Sequence, residues 1–183
     1  MEKQVSGPGV PRSVGAVIRL AHDAELPALR ELEVAAGRPF ADVGMAAVAA
    51  DEAPSLETFR SYQRDGRAWV DTDDDGRPAA FLLALWVDGC VHIEQVSVHP
   101  DFAGQRRGAG LIAHVAAWAR TRKAAGLTLT TFAGVAWNAP YYERLGFRRL
   151  AVADETPGLR EIRAHEAAHG LDRWPRLCMR REL

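Results

Sequence analysis

Apolar residues recur along this chain in two rhythms, and their order outlines a fold. Ala16 to Leu20 is a short run suited to a first strand. Leu26, Leu29, Leu32 and Val34 then follow roughly helical spacing behind Asp23, a residue type that caps helix starts. Leu56 to Arg64 is a second helical stretch with Ser55 as its cap. Three strand-like runs come next: Ala68 to Asp71, Ala79 to Val87 and Val91 to Val98. The first pair flanks an acidic turn and the second the Asp88-Gly89 turn, so consecutive hairpins are expected.

Gly108 to Ala125 has the period of a long amphipathic helix, with Gly126 as its left-handed stop. Leu127 to Phe132 is a short β-branched strand. A brief helix over Pro140 to Leu145 ends at Gly146, and a strand over Phe147 to Val152 follows. Pro157 to His169 reads as a helix closed by Gly170, and Pro175 to Arg181 as a closing strand. Hairpins first and strand-helix alternation later make an α/β domain of the α+β type. Residues 1 to about 13, rich in Gly and Pro, read as a flexible tail, and 14 to 183 as one domain without repeats.

Composition narrows the partners. Lys and Arg number 23 against 24 Asp and Glu, a net charge of −1, so no global field draws the protein to nucleic acid or an anionic membrane. The longest strongly apolar stretch, Phe81 to Val87, is too short to span a bilayer. Two cysteines, Cys90 and Cys178, do not make a disulfide scaffold, and a cytoplasmic location is the expectation. Any anion must be held by a local cluster.

Such a cluster lies between Gln95 and Gly110. A strand ends near Pro100, a polar loop follows, and a helix begins among Gln105, Arg106, Arg107, Gly108, Ala109 and Gly110. Unpaired amides at a helix start, about half a positive charge, small residues and two arginines describe a cradle for a diphosphate. It is neither a Walker loop nor a dinucleotide fingerprint. Val96 to Gly110 resembles the acetyl-CoA motif of the GNAT superfamily, with His99-Pro100-Asp101 before Gln105-Arg106-Arg107-Gly108-Ala109-Gly110. Downstream, Asn138 to Phe147 (Asn-Ala-Pro-Tyr-Tyr-Glu-Arg-Leu-Gly-Phe) is similar to the Asn…Tyr-x-x-x-Gly-Phe signature of that family.

The resemblance implies a mixed twisted sheet flanked by helices and direct acetyl transfer to a primary amine. It implies that Val96, Ser97 and Val98 lie along the pantetheine arm, that Gln105 to Gly110 hold the pyrophosphate, and that Asn138 contacts the pantetheine region. It implies Tyr142 as the acid for the departing thiolate. On helical spacing, Asn138 and Tyr142 are expected on one face. An ammonium of pKa about 10.4 must lose a proton before attack, and Glu94, on the strand leading to the cradle, is the candidate base, with His92 as the weaker substitute. A catalytically silent acyl-CoA-binding module is the alternative. The acceptor, a small-molecule or peptide amine, is not readable; residues 157 to 183 are a candidate lid or dimer surface.

Three other motifs carry less. His165-Glu166-Ala167-Ala168-His169 fits a zinc-peptidase helix, yet Gly170 stops the helix at the second histidine. Asp71 to Gly76 begins like a calcium loop, but Leu82 stands where the bidentate glutamate belongs. Cys90 has no evident base for a nucleophilic role. No metal is expected.

Overall fold

A computed structural model describes residues 17–183. The expected tail over residues 1–13 lies outside the described residues. Seven strands form one sheet: β1 (Ile18–Leu20), β2 (Ala68–Thr72), β3 (Pro78–Val87), β4 (Cys90–Val98), β5 (Gly126–Phe132), β6 (Arg148–Arg149) and β7 (Arg176–Glu182). Their spatial order is β1-β2-β3-β4-β5-β7-β6, antiparallel throughout except for the parallel pair β4–β5. That parallel step needs a crossover, and the long helix between the two strands supplies it.

One face carries helices α1 (Leu26–Gly37) and α3 (Leu56–Arg64), with the short α2 (Ala46–Ala49) between them. Leu26, Leu29 and Leu32 of α1 and Phe59 of α3 are buried against Val70, Phe81 and Leu83 of the sheet. The opposite face carries α4 (Arg107–Thr121) and α5 (Ala139–Arg144). There Leu111, Ile112, Val115 and Ala119 pack on Leu82, Ala84, Val91, Ile93 and Leu129. Helix α6 (Pro157–Ala168) returns to the α1 face, where Leu159 meets Cys178 of β7.

Local chemistry explains where the elements depart from the pattern. Asp23 does not cap α1: it sits in a 3-10 turn that is closed by the reciprocal bonds of His22 and Glu25. Val34 is exposed and Ala35 is buried in its place, because a three-residue step from Leu32 keeps the stripe on the sheet. Helix α4 ends at Thr121, and Lys123 rather than Gly126 takes the left-handed conformation. Gly126 begins β5, where a Cβ would lie 2.8 Å from the carbonyl of Arg181. The strand expected over Phe147–Val152 shrinks to Arg148–Arg149, since Val152 enters a 3-10 turn. Residues 157–183 form α6 and β7, and β7 is an internal strand of the sheet rather than an appendage.

Two irregularities shape the centre of the sheet. Along β3–β4 the register runs Leu83↔Gln95 and then Ala84↔Ile93, which leaves Glu94 as the extra residue of a β-bulge. Before the bulge Val91 and Ile93 face α4; after it Val96 and Val98 do. Pairing of β4 with β5 stops at Ile93↔Leu129. From Gln95 to Val98, β4 keeps its partner β3, and from Glu94 onward it has none on the β5 side, so the two parallel strands part there.

Candidate active site

The loop after β4 is built to present amides. His99, Pro100 and Phe102 form a 3-10 turn closed by the Phe102 and Ala103 N–H groups. Gly104 (φ 75°) and Arg106 (φ 61°) then adopt left-handed conformations that reverse the chain into α4. The first intrahelical bond runs from the Gly110 N–H to the Arg106 carbonyl, at 3.0 Å. Helix α4 has no side-chain cap. The N–H groups of Arg106, Arg107 and Gly108 therefore find no backbone acceptor among the described residues, and they sit at the positive end of a fifteen-residue helix.

The arginines here divide their labour. Arg106 is exposed beside the amides. Arg107 turns inward, where its guanidinium meets Asp71 at 3.1 Å and the Thr72 carbonyl at 3.1 Å and lies over Phe102 at 4.7 Å. Its charge is neutralised by Asp71, so what Arg107 offers an anion is its backbone N–H. Gly108 and Gly110 also differ from expectation. Gly108 is pressed against Val98 and the Tyr141 hydroxyl, and Gly110 against Ile18, so their missing Cβ atoms let α4 approach the sheet. Gln105 is exposed on the loop.

Helix α5 approaches the same junction. Asn138 is its non-helical first cap (φ −111°, ψ −114°), and its carbonyl accepts the N–H groups of Tyr141 and Tyr142. Asn138 and Tyr142 are thus joined through the backbone and do not share a helical face. The Tyr141 hydroxyl engages the Ala109 amide, close to Arg106 and Arg144. The motif carries Tyr141 without assigning it a role; its place beside the cradle is set by the tertiary approach of α5 to α4. Tyr142 packs edge-on to Tyr141 (5.5 Å between centroids) and Phe147 (5.9 Å). Burial, with Tyr141 beside it, holds its phenol well above the ordinary range, so it keeps its proton at any working pH.

The opposite face of the sheet, between α1 and α6, is polar. Glu94 emerges at the bulge, and its carboxyl is pushed up by burial and by the nearby negative charge of Glu166, with Arg176 opposing. Its side chain is nevertheless 42% exposed, so it remains reachable by a ligand. His92 is 1% exposed, hydrogen-bonds Thr128 Oγ1 through Nδ1 at 3.0 Å, and is pushed down to about 4 by desolvation. It is neutral at physiological pH, with Nε2 4.0 Å from Glu94, too far for a direct hydrogen bond. Tyr62 of α3 also faces Glu94; burial and that carboxylate push its phenol up to about 12.

Residues the motifs did not single out complete this face. Glu33 of α1 accepts a 2.5 Å bond from Ser97 Oγ, which in turn accepts from Gln95 Nε2 at 2.8 Å. Glu166 of α6 is held by Arg176 through both oxygens (2.6 and 3.0 Å), by Arg163 at 2.6 Å and by Thr130. The central glutamate of the His-Glu-x-x-His motif is therefore an ion-pair anchor that docks α6 on β5 and β7. Asp73 accepts the Asp75 and Arg77 N–H groups and shapes the β2–β3 hairpin turn. A cavity of about 260 Å³, lined in part by Asp88, Cys90, Arg148 and Thr156, lies at the other end of β4 from the cradle.

The geometry is thus a parted pair of parallel strands, free amides at one end and a polar face beneath. The sequence model of the acetyltransferase (GNAT) family matches residues 26–147, from α1 through α5. The chain belongs to that family. Solved structures agree at the level of fold. A GNAT acetyltransferase from Staphylococcus aureus Mu50 superposes with a TM-score of 0.71 at 13% identity, covering 92% of this chain and 99% of that one. The ribosomal-protein-S18-alanine N-acetyltransferase of Escherichia coli gives 0.65 at 23% identity, over 91% and 93%. The N-acetylglutamate synthase of Neisseria gonorrhoeae, solved with coenzyme A and N-acetyl-glutamate, gives 0.69 at 20% identity, over 94% of this chain and 36% of that one. Among the described residues no helix is long and apolar enough to cross a membrane.

Proposed function

We propose that this family member is an acetyl-CoA-dependent N-acetyltransferase that delivers the acetyl group directly to a primary amine in a ternary complex. The observation that carries this is the pairing of free amides at Arg106, Arg107 and Gly108 with the unpaired backbone of Glu94–Val98. A pyrophosphate fits the first by charge and donor direction. The second offers strand-type hydrogen bonds along Val96, Ser97 and Val98 to the amides of a pantetheine arm. The structural relative from Neisseria gonorrhoeae was solved with coenzyme A, which agrees with that reading.

Bound acetyl-CoA supplies an activated thioester; the chain's residues supply position and proton handling. Glu94, ionised, takes the proton from the incoming ammonium; the nitrogen lone pair then forms the new N–C bond as the C–S bond breaks, and the further proton the nitrogen sheds in becoming an amide passes to the departing thiolate. Its raised carboxyl range brings it nearer the amine's own pKa and makes it a better base than a solvated glutamate. Tyr142 donates a hydrogen bond to the sulfur as negative charge builds there. Its phenol is a weaker acid than an ordinary thiol of pKa about 8.5, so its contribution is stabilisation of charge rather than complete proton loss. Asn138 lies where the pantetheine region passes the start of α5.

Isothermal titration with acetyl-CoA, followed by thiol release across a panel of amines, tests the proposal. Saturable binding at micromolar to low millimolar concentration and amine-dependent thiol release are expected. Tyr142→Phe should retain acetyl-CoA affinity within about threefold while losing about 10²-fold or more in kcat. Absence of binding at near-millimolar ligand would end the reading, and binding without turnover on any amine would instead favour a silent acyl-CoA-binding module.

A further inference from the structure

Within the proposed transferase, the acceptor side holds a carboxylate that neither the family's motifs nor the chemistry above accounts for. Glu33 sits on the face of α1 that packs on β4, and its Oε2 accepts the Ser97 hydroxyl at 2.5 Å. Ser97 is 3% exposed and belongs to the stretch of β4 that has parted from β5. Glu33 is half-buried, and that partial burial raises its carboxyl above the ordinary range.

Comparison with the other withdrawn carboxylates makes it unusual. Asp71 has Arg107, Glu25 has Arg19, and Glu166 has Arg176 and Arg163. Glu33 has no cation partner among the described residues, and the charged group nearest in effect is another acid, Asp51. A half-buried carboxylate with only neutral donors and a like charge nearby is relieved either by taking up a proton or by a cation arriving from outside. Its neutral neighbours, Ser97 and through it Gln95, belong to β4, the strand that also carries Glu94.

We infer that Glu33 is the receptor for a second positive charge on the acceptor, so that the substrate class is a di- or polycationic amine. The reacting nitrogen lies at the bulge, by Glu94, and the distal cation meets Glu33. Ser97 follows Glu94 by three residues, about 10 Å along a strand and somewhat less across a bulge. A spacing of that order between the two nitrogens is the one proposed. It fits an alkyl diamine of five or six carbons, or a lysine-like group carrying a neighbouring charge.

This inference rests on the transferase reading for turnover but not for binding, so the two can fail separately. Thermal melts of the full chain with hexamethylenediamine, putrescine and hexylamine read binding without acetyl-CoA. The six-carbon diamine should raise the wild-type midpoint well above hexylamine at equal concentration, and Glu33→Gln should abolish that difference. With acetyl-CoA, thiol release should show the diamine favoured over hexylamine in kcat/KM. Glu33→Gln should cut that preference at least tenfold, through KM, and Glu33→Asp should keep part of it. Circular dichroism and acetyl-CoA titration verify that the variants are folded. Equal stabilisation by diamine and monoamine, or a preference that survives Glu33→Gln, overturns the assignment. A protein that fails to bind acetyl-CoA but shows the Glu33-dependent melt loses the transferase reading and keeps the cation receptor.

Discussion

Replacing Arg107 by Met separates the structural from the electrostatic role of the cradle arginines. The guanidinium of Arg107 is 13% exposed and the Asp71 side chain 7%, with 3.1 Å between them and a second 3.1 Å bond to the Thr72 carbonyl. Methionine keeps most of the volume but leaves Asp71 as a buried, uncompensated charge. Breaking such a pair from one side costs about 3–5 kcal/mol. For a domain whose total stability is about 5–15 kcal/mol, that is about a fifth or more of what holds it folded. At roughly 2–4 °C per kcal/mol for this size, the midpoint should fall by about 6–20 °C. Urea melts of wild type, Arg107→Met, Asp71→Asn and the double variant measure it. The double variant should recover at least half of the loss, because the stranded charge is gone. A single variant within about 1 kcal/mol of wild type, or a double variant no better than the single, would show that the pair is solvated and that α4 is not tied to β2 in this way.

Two further expectations concern protons. His92 is held near 4 when folded, below its ordinary value of about 6.5, so the unfolded chain binds the extra proton between those limits. Stability should therefore fall as pH drops from about 6.5 to 4, by about 3 kcal/mol from this group, and His92→Asn should flatten that part of the curve in urea melts at stepped pH. Glu94, with its folded value raised, pulls the other way, which is why the comparison with the His92 variant is the decisive one. For activity the sign reverses: Glu94 acts ionised, so kcat/KM should rise with pH through a limb lying above the usual carboxylate range. In Glu94→Gln that limb should vanish with a loss of about 10²–10⁴-fold, whereas an unchanged profile would remove Glu94 as the base.

The cradle was legible in the sequence because it is local. Gln105 to Gly110 are consecutive, and a loop-to-helix junction with small residues has one main use for its amides. The approach of Asn138 to Tyr142 was legible for the same reason, although Asn138 stands at the start of α5 outside the helical region rather than on its face. What stayed hidden is what sheet closure creates. Nothing near Glu33 in sequence announces Ser97, sixty-four positions away, and nothing near Arg107 announces Asp71. Gly126 misled for a related reason. A glycine after a helical period reads as a stop, and only the approach of β7 shows that its backbone is crowded by Arg181.

The bulge at Glu94 has a consequence for how such a chain can change. A residue without a ladder partner, on a strand that reverses its facing there, is bound to neither the apolar layer above nor the packed helices below. Substitution at position 94 alters chemistry without disturbing the valines on either side, and deleting it would restore plain alternation with Ile93, Val96 and Val98 still in their layer. The extra residue thus gives the strand a position for chemistry without altering the layer the strand crosses.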